Sequence, residues 1–205
     1  MDNQAAFTEY AHSDIWIAVH LGQYFGVLLL IGGLVALYLS IATKPGAGAA
    51  LARLGLAAAV TTAASFTVLQ AVDGITLKRA VDAWVSAPAN QESAAFAAAE
   101  AVRWTEMGVN SLSYFLLGLT LFPYGLAIAL GTVYPHWVGW MAAVSGAEFM
   151  VHGLMVSYKG FFPSSVGMVG LILLALWTFI MAFFMWRNSS RRRIARLEST
   201  PPEPA

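Results

Sequence analysis

Long apolar runs, separated by short polar segments, make up most of this chain. A helix needs about 20 mostly apolar residues to cross the roughly 30 Å hydrocarbon layer of a bilayer. Lipid offers no partner for backbone polar groups, so a helix is the expected form of each run. Five runs are long enough: 15–41, 51–77, 107–130, 137–156 and 166–186. The pattern predicts an all-α integral membrane bundle of about five transmembrane helices, in a multi-pass protein of the cell membrane.

The longest polar interruption runs from residue 78 to residue 105. Pro88 and Asn90 lie in its middle and indicate a turn. Lys78 and Asp82 are four residues apart, as on one face of a helix, and the alanine-rich run after the turn contains no helix breaker. We therefore expect the second and third spans to extend beyond the membrane as a short helical hairpin.

The chain is expected to form a single helical membrane domain over residues 1–196, because no internal repeat or soluble domain interrupts the spans. The first 14 residues contain three acidic side chains and no Lys or Arg. A cleaved signal peptide has a basic start, so we expect the first span to be permanent. Residues 197–205 contain three prolines and are expected to be a disordered tail.

Basic residues near the ends of the spans predict the orientation. The loop after the first span carries Lys44 and Arg53. The end of the chain carries five arginines, which are Arg187, Arg191, Arg192, Arg193 and Arg196. With five spans these two segments lie on one side, and the positive-inside rule assigns that side to the cytoplasm. We therefore expect the N-terminus and the hairpin outside and the C-terminus in the cytoplasm.

The composition agrees with a membrane protein and excludes several kinds of chemistry. Hydrophobic residues make up 59% of the chain and charged residues 11%, whereas a soluble domain carries about 25% charged residues. The chain has no cysteine, which excludes disulfides, thiolate metal ligands and thiol catalysis. It contains no phosphate-binding loop, nucleophile elbow or HExxH motif. The lipid bilayer is the expected partner, and nucleic acid is not.

Ionisable residues inside a membrane are costly and therefore mark candidate functional sites. Four of the predicted helices carry such residues in the half of the membrane nearest the hairpin. They are His20, Asp73, Glu106, Glu148 and His152. His20 shares a helix face with Gln23, Asp73 with Gln70, and Glu148 with His152. Because these residues lie at a similar depth, we expect their side chains to meet in one cluster.

The residue types in this cluster are compatible with several kinds of site. His20, Glu148 and His152 form a two-histidine, one-carboxylate set that suits Zn, Fe, Mn or Cu, with Asp73 or Glu106 completing the site or orienting a histidine. His20 and His152 would also suit the axial positions of a haem. A metal-free site would use Glu148 or Asp73 as a catalytic acid or base on a lipid-like substrate. A purely structural polar network is the remaining alternative.

Two classes of function follow from these alternatives. In the first, the cluster binds a transition metal or haem for a membrane redox or lipid-modifying activity. In the second, the protein is a non-catalytic accessory or assembly subunit of a larger membrane complex. The second class predicts polar groups that pair only with each other, and a stripe of small residues left free for other membrane subunits. The candidate stripes are Gly22 with Gly26, and Gly139 with Gly146 and Gly153.

The second half of the chain resembles a bacterial family. The segments MGVNSLSYFLLGLTLFPYGLAIAL and YPHWVGWMAAVSGAEFMVHGLMV, within residues 107–156, are similar to small polytopic membrane proteins of the actinobacterial type whose function is unknown. The shared pattern is two glycine-rich spans joined by a loop that contains Pro135, Trp137 and Gly139. The resemblance implies a helical fold in the bacterial inner membrane, and it implies no activity.

Overall fold

The computed structural model of the protein describes residues 3–42, 45–162 and 165–198, so Lys44 and residues 199–205 of the expected tail lie outside the described residues. The described part is all-helical, as predicted, and contains no β-strand. A π-helical segment, Ala71–Leu77, joins α3 to α4 without a break. The helices are α1 (Asn3–Ala11), α2 (Trp16–Ile41), α3 (Ala47–Gln70), α4 (Lys78–Val85), α5 (Glu92–Ala129), α6 (His136–Lys159) and α7 (Ser165–Glu198).

The long helices run alternately up and down, so the bundle has two distinct ends. We call the end that carries α1, α4 and the start of α5 the hairpin end, and the opposite end the far end. At the hairpin end, Asn3 Nδ2 donates to Glu100 Oε1 at 3.0 Å. At the far end, the Tyr134 hydroxyl donates to Ser40 Oγ at 2.8 Å. These bonds tie the helix ends together on both sides of the bundle.

Among the described residues, four helical segments are long and apolar enough to cross a membrane, which indicates a membrane protein. They are Trp16–Ile41, Ala47–Val85, Glu92–Ala129 and Gly167–Ser190. They correspond to four of the five expected spans, and α6, at the place of the remaining one, is not among them.

The predicted helical hairpin is confirmed as α4 and the first turns of α5, joined through residues 86–91. The continuous segments Ala47–Val85 and Glu92–Ala129 contain 39 and 38 residues. At 1.5 Å per residue each is about 57 Å long, whereas the hydrocarbon layer is about 30 Å thick. Their polar ends therefore project beyond an apolar layer at the hairpin end.

Glycines allow α5 and α6 to pack with their backbones in contact. A methyl group on Gly125 of α5 would lie 2.7 Å from the Gly139 carbonyl oxygen of α6. One on Gly146 would lie 2.9 Å from the Gly118 carbonyl oxygen, and one on Gly153 would lie 2.5 Å from the Ser111 carbonyl oxygen. Real side chains almost never reach such distances. The glycine stripe of α6 is therefore used inside the chain and does not form a free docking face.

The helices α2 and α7 lie at the periphery of the bundle. Leu34 and Leu37 on one face of α2 are buried in the core. The buried Tyr124 hydroxyl donates to the Leu34 carbonyl oxygen at 2.8 Å. Gly22 and Gly26 have no atom within 4 Å of an added methyl group. These two glycines therefore form no close contact with another helix in the described part of the chain.

The short helix α1 covers the hairpin end, and the hydrophobic pattern of the sequence does not predict it. Phe7 is fully buried between the rings of Trp84 and Phe96, with centroid distances of 6.2 and 5.7 Å. Lys78 Nζ donates to the Ala11 carbonyl oxygen at 3.1 Å, which satisfies a carbonyl at the end of α1. The helix is thus held by this aromatic cluster, by Lys78 and by the hydrogen bond from Asn3 to Glu100.

Candidate functional site

The π-helical segment brings Asp73 to α2. The Thr76 hydroxyl donates to the Ala71 carbonyl oxygen five residues earlier, at 3.0 Å. π-Helical turns are rare in proteins overall, but many of those that occur lie at functional sites. Gly74 lies directly against His20, since a methyl group there would be 2.5 Å from His20 Cβ. Glycine at this position lets α2 approach, and the wide turn carries Asp73 alongside His20.

His20 and Asp73 form a hydrogen-bonded pair between α2 and the π-helical segment. His20 Nε2 lies 3.1 Å from Asp73 Oδ2, and the side chains are 10% and 19% exposed. His20 Nδ1 lies 2.7 Å from the Trp16 carbonyl oxygen, to which it must donate because a carbonyl only accepts. The contact with Asp73 therefore requires a second proton, on Nε2 or on the carboxyl group. In either arrangement the pair carries no net charge, which suits its burial.

A second ion pair lies nearby on α5. Arg103 Nη1 donates to Glu106 Oε2 at 2.6 Å, and the two side chains are 10% and 3% exposed. The Arg103 guanidinium carbon also lies 5.6 Å from the Tyr10 ring centre and 4.6 Å from that of Phe161. Glu106 interacts electrostatically with Asp73 and His20. The guanidinium is therefore fixed by a carboxylate and two aromatic faces.

Aromatic rings connect the two pairs into one unit, which we call the hairpin-end cluster. Tyr10 packs on Trp16 with ring centres 4.3 Å apart, and Trp16 packs on His20 at 4.6 Å. Trp16 Nε1 donates to the Asp73 carbonyl oxygen at 3.1 Å. Burial raises the pKa of the Tyr10 hydroxyl, so this group stays protonated at neutral pH. The cluster comprises Tyr10, Trp16, His20, Asp73, Arg103 and Glu106.

A cavity of about 550 Å³ opens beside this cluster, between α5 and the end of α6. Arg103 and Lys159 give it two cationic side chains, and none of its described lining residues is acidic. Lys159 Nζ also lies 5.7 Å from the Phe162 ring centre. The lining residues within the described part of the chain are Asn3, Arg103, Trp104, Met107, Gly108, Val156, Ser157, Tyr158, Lys159, Gly160 and Phe161.

Glu148 and His152 lie apart from this cluster, at the interface of α6 with α7. A methyl group on Gly170 would overlap the Glu148 carboxylate, and one on Gly167 would lie 2.7 Å from His152 Cε1. The Tyr114 ring of α5 stands edge-on to His152, with centres 5.0 Å apart. Both Glu148 oxygens and His152 Nδ1 are buried without a hydrogen-bond partner among the described residues.

The single cluster expected from the sequence is therefore divided. His20, Asp73 and Glu106 belong to the hairpin-end cluster, whereas Glu148 and His152 face α7. Within the described parts of the chain, no three His, Asp or Glu side chains form a group that would hold a metal ion. The expected ligand set of His20, Glu148 and His152 is not assembled. As a haem ligand, His20 would have to give up its bond to Asp73 or to the Trp16 carbonyl.

Sequence reasoning missed three members of the cluster: Tyr10, Trp16 and Arg103. Arg103 and Glu106 are three residues apart, a spacing that places two side chains on one helix face. Their ion pair could therefore have been predicted from the sequence. Tyr10 carries no such signal, because its place depends on how α1 folds over the hairpin end.

Comparison with known proteins leaves the chain without an assigned family. No protein-family model, curated protein or solved structure matches it. The resemblance of residues 107–156 to small bacterial membrane proteins stays a prediction.

The contact between Gly74 and His20 can be tested by substitution. We expect Gly74→Ala to lower the free energy of unfolding by about 1–3 kcal/mol, because the added methyl group displaces His20. Gly108→Ala, also in a helix but with nothing within 4 Å of the new methyl group, should be neutral or slightly stabilising. Thermal unfolding in detergent measures both. Equal stability of the two variants would contradict the close approach of α2.

Proposed function

We propose that the protein is a multi-pass membrane protein that binds the anionic headgroup of an amphiphile in the cavity at its hairpin end. The observation that carries the proposal is the pair of cationic side chains, Arg103 and Lys159, in one cavity of about 550 Å³. A guanidinium binds phosphate or carboxylate oxygens through parallel donors. Glu106 and the rings of Tyr10 and Phe161 hold Arg103 in place before a ligand arrives, which reduces the entropy lost on binding.

The apolar part of the same cavity suits the rest of an amphiphile. Trp104, Met107 and Val156 line it next to the cationic side chains. Trp104 is 65% exposed, and tryptophan is enriched where a bilayer meets water. A headgroup bound by Arg103 and Lys159 would therefore lie at the membrane surface, with its acyl portion directed toward the apolar layer.

The proposal includes the orientation and the number of spans. We place the hairpin end outside the cell and the far end in the cytoplasm, on the distribution of Lys and Arg. We count α6 as a fifth span, because its 24 residues reach about 36 Å. Its glycine contacts also hold α6 beside α5 over most of its length. The compartment that follows is the bacterial inner membrane, with the cavity open to the outer leaflet.

Binding is better supported than catalysis. A lipid-modifying activity would use His20 or Asp73 as acid or base, and neither lines the cavity. Both nitrogens of His20 are already bonded. The His20–Asp73 pair therefore serves to hold α2 against the π-helical segment, which in turn supports Trp16 and Tyr10 behind Arg103.

The binding proposal is tested by reversing one charge. We expect Lys159→Glu to weaken binding of a short-chain phosphatidylglycerol to the detergent-purified protein by about tenfold, the value of one charge-assisted hydrogen bond. Titration calorimetry measures the affinity, and phosphatidylcholine of the same chain length serves as the uncharged comparison. Arg79→Glu is the matched control, because Arg79 lies exposed on α4 and does not line the cavity. If both variants lost the same affinity, the change would be due to the overall surface charge of the protein, and the proposed site would be refuted.

Two observations favour the accessory-subunit function. The pairs His20–Asp73 and Arg103–Glu106 are satisfied within the chain, and Gly22 and Gly26 leave a peripheral face of α2 open. Small residues on an open face allow a helix of another membrane subunit to approach. Purification from native membranes in a mild detergent would test it. A partner that is retained by the wild type and lost with Gly22→Leu supports this function.

Binding of a metal or haem stays a prediction. An optical spectrum and elemental analysis of the purified protein test it directly. A stoichiometric metal would direct attention to Glu148 and His152, whose buried Oε1, Oε2 and Nδ1 atoms lack partners among the described residues. His20 is a weaker candidate, since its ring nitrogens are both engaged.

A further inference from the structure

The cavity at the hairpin end offers hydrogen-bond acceptors as well as cations. The Ser157 hydroxyl donates to the Gly153 carbonyl oxygen one turn earlier in α6, at 3.2 Å, so its oxygen is left to act as an acceptor. Asn3 Nδ2 donates to Glu100 Oε1 at 3.0 Å, and this bond leaves Asn3 Oδ1 as an acceptor. Ser157 and Asn3 both line the cavity. A ligand that carried only negative oxygens would leave both acceptors unmatched.

The end of α6 adds further acceptors to the same cavity, which is lined by residues 156–161. Gly160 follows the helix with a left-handed φ of 71°, and its N–H donates to the Val156 carbonyl oxygen at 2.9 Å. Among the described residues, no backbone N–H donates to the carbonyl oxygens of the last three helical residues, Ser157, Tyr158 and Lys159. A helix C-terminus carries a partial negative charge. The group that binds there should therefore be a hydrogen-bond donor and not a phosphate.

The charges beside the cavity favour a ligand with a single negative charge. Arg103 Nη1 donates to Glu106 Oε2 at 2.6 Å, so its charge is already balanced. Lys159 forms no ion pair with a carboxylate in the described part of the chain, and it contributes the unbalanced charge. A phosphate monoester carries about −1.5 to −2 charges at pH 7, which is more than this charge balances. A zwitterionic headgroup would place its ammonium group beside two cations. A phosphodiester avoids both problems.

We propose that the ligand of this cavity is a lipid phosphodiester with a single negative charge and free hydroxyl groups on its headgroup, as in phosphatidylglycerol. The phosphodiester oxygens accept hydrogen bonds from Arg103 and Lys159. The hydroxyl groups donate to Ser157 Oγ, to the carbonyl oxygens at the end of α6 and, on the side of α1, to Asn3 Oδ1. The assignment rests on the proposed function, since it names the headgroup that the same cavity binds.

Phosphatidylmethanol is the matched probe, because it carries the same charge as phosphatidylglycerol but no hydroxyl group. Titration calorimetry on the detergent-purified full chain compares short-chain forms of the two lipids. We expect phosphatidylglycerol to bind about tenfold more tightly, the value of one or two neutral hydrogen bonds. Phosphatidylethanolamine of the same chain length should also bind more weakly than phosphatidylglycerol, because its ammonium group lies near Lys159. Equal affinity of phosphatidylglycerol and either comparison lipid would overturn the assignment.

Ser157→Ala tests the side-chain acceptor on α6. It should weaken binding of phosphatidylglycerol by about three- to tenfold, with a smaller loss for phosphatidylmethanol. Ser86→Ala is the matched control, because Ser86 is also exposed and its hydroxyl also donates to a carbonyl four residues earlier, that of Asp82. Ser86 does not line the cavity. The same loss in both variants, or the same loss for both lipids, would contradict a hydroxyl bound at Ser157.

The headgroup assignment and the proposed function fail in different ways. If phosphatidylglycerol and phosphatidylmethanol bind equally, and both more tightly than phosphatidylcholine, only the headgroup assignment is lost. If neither binds more tightly than phosphatidylcholine, the proposed function fails as well. Soluble glycerophosphoglycerol carries the same headgroup without acyl chains, and it should bind at least about tenfold more weakly than the lipid. Equal affinity would assign the cavity to a free phosphodiester and overturn the choice of a lipid.

Discussion

Glu106→Leu is expected to lower the free energy of unfolding by about 3–5 kcal/mol, one of the two largest single-residue effects in this protein. The Arg103 side chain is 10% exposed, and the substitution removes the carboxylate that pairs with its guanidinium. An unpaired buried charge cannot recover the hydration that it lost on folding, and the rings of Tyr10 and Phe161 compensate only in part. Thermal and denaturant unfolding of the purified protein in detergent measure the loss.

A partly exposed ion pair and a double variant provide the controls. Asp82 forms a similarly short ion pair with Lys78, at 2.6 Å; the Asp82 side chain is 49% exposed and that of Lys78 12%, and Lys78 Nζ also donates to the Ala11 carbonyl oxygen. Because Lys78 keeps this acceptor, Asp82→Leu should cost less than Glu106→Leu, about 1 kcal/mol. Combining Glu106→Leu with Arg103→Met removes both charges and should restore much of the lost stability. A double variant as unstable as the sum of both single variants would show that the pair is not the source of the effect.

Gly139→Leu is expected to force α5 and α6 apart and to cost about 3 kcal/mol or more, above the usual range for overpacking. A methyl group at Gly139 would lie 2.6 Å from the Gly125 carbonyl oxygen and 2.7 Å from Ala129 Cα. Both are backbone atoms, so no side-chain rotation relieves the overlap. The helices must separate along their closest contact, which loses packing on both sides.

The separation can be measured directly, because the chain has no cysteine and two introduced cysteines can be labelled without background. Leu119 of α5 and Val144 of α6 are exposed sites for spin labels near the contact between Gly125 and Gly139. The distance between labels should increase in Gly139→Leu and stay constant in Gly32→Leu, since Gly32 has nothing within 4 Å. An unchanged distance with unchanged stability would contradict the glycine-mediated contact.

The helical content and most of the span positions could be predicted because they depend on local sequence. A run of about 20 apolar residues has few alternatives in lipid, and Pro88 in a polar stretch indicates a turn. α1 could not be predicted in this way. Its nine residues are too few for a stable isolated helix. It depends on the insertion of Phe7 between Trp84 and Phe96, which come from distant parts of the chain.

The sequence predicted which polar residues share a face of each helix, but it did not predict which of these faces meet in the bundle. His20 and Gln23 share a face of α2, and they do meet Asp73 and Gln70, which share a face. Glu148 shares a face with His152, but that face turns toward α7. Spacing along a helix gives relative direction only, so the rotation of α6 about its own axis cannot be read from the pattern.

The packing of α6 has a consequence for biosynthesis. Six residues, 130–135, separate α5 from α6, so the two helices leave the ribosome almost together. Ser145 of α6 donates to the Gly170 carbonyl oxygen of α7 at 3.3 Å, and Glu148 lies against the same glycine. Until α7 has been synthesised, this polar face of α6 has no protein cover. The insertion of α6 therefore depends on a neighbour translated before it and on another translated after it, and truncation before α7 should leave this polar face of α6 against lipid.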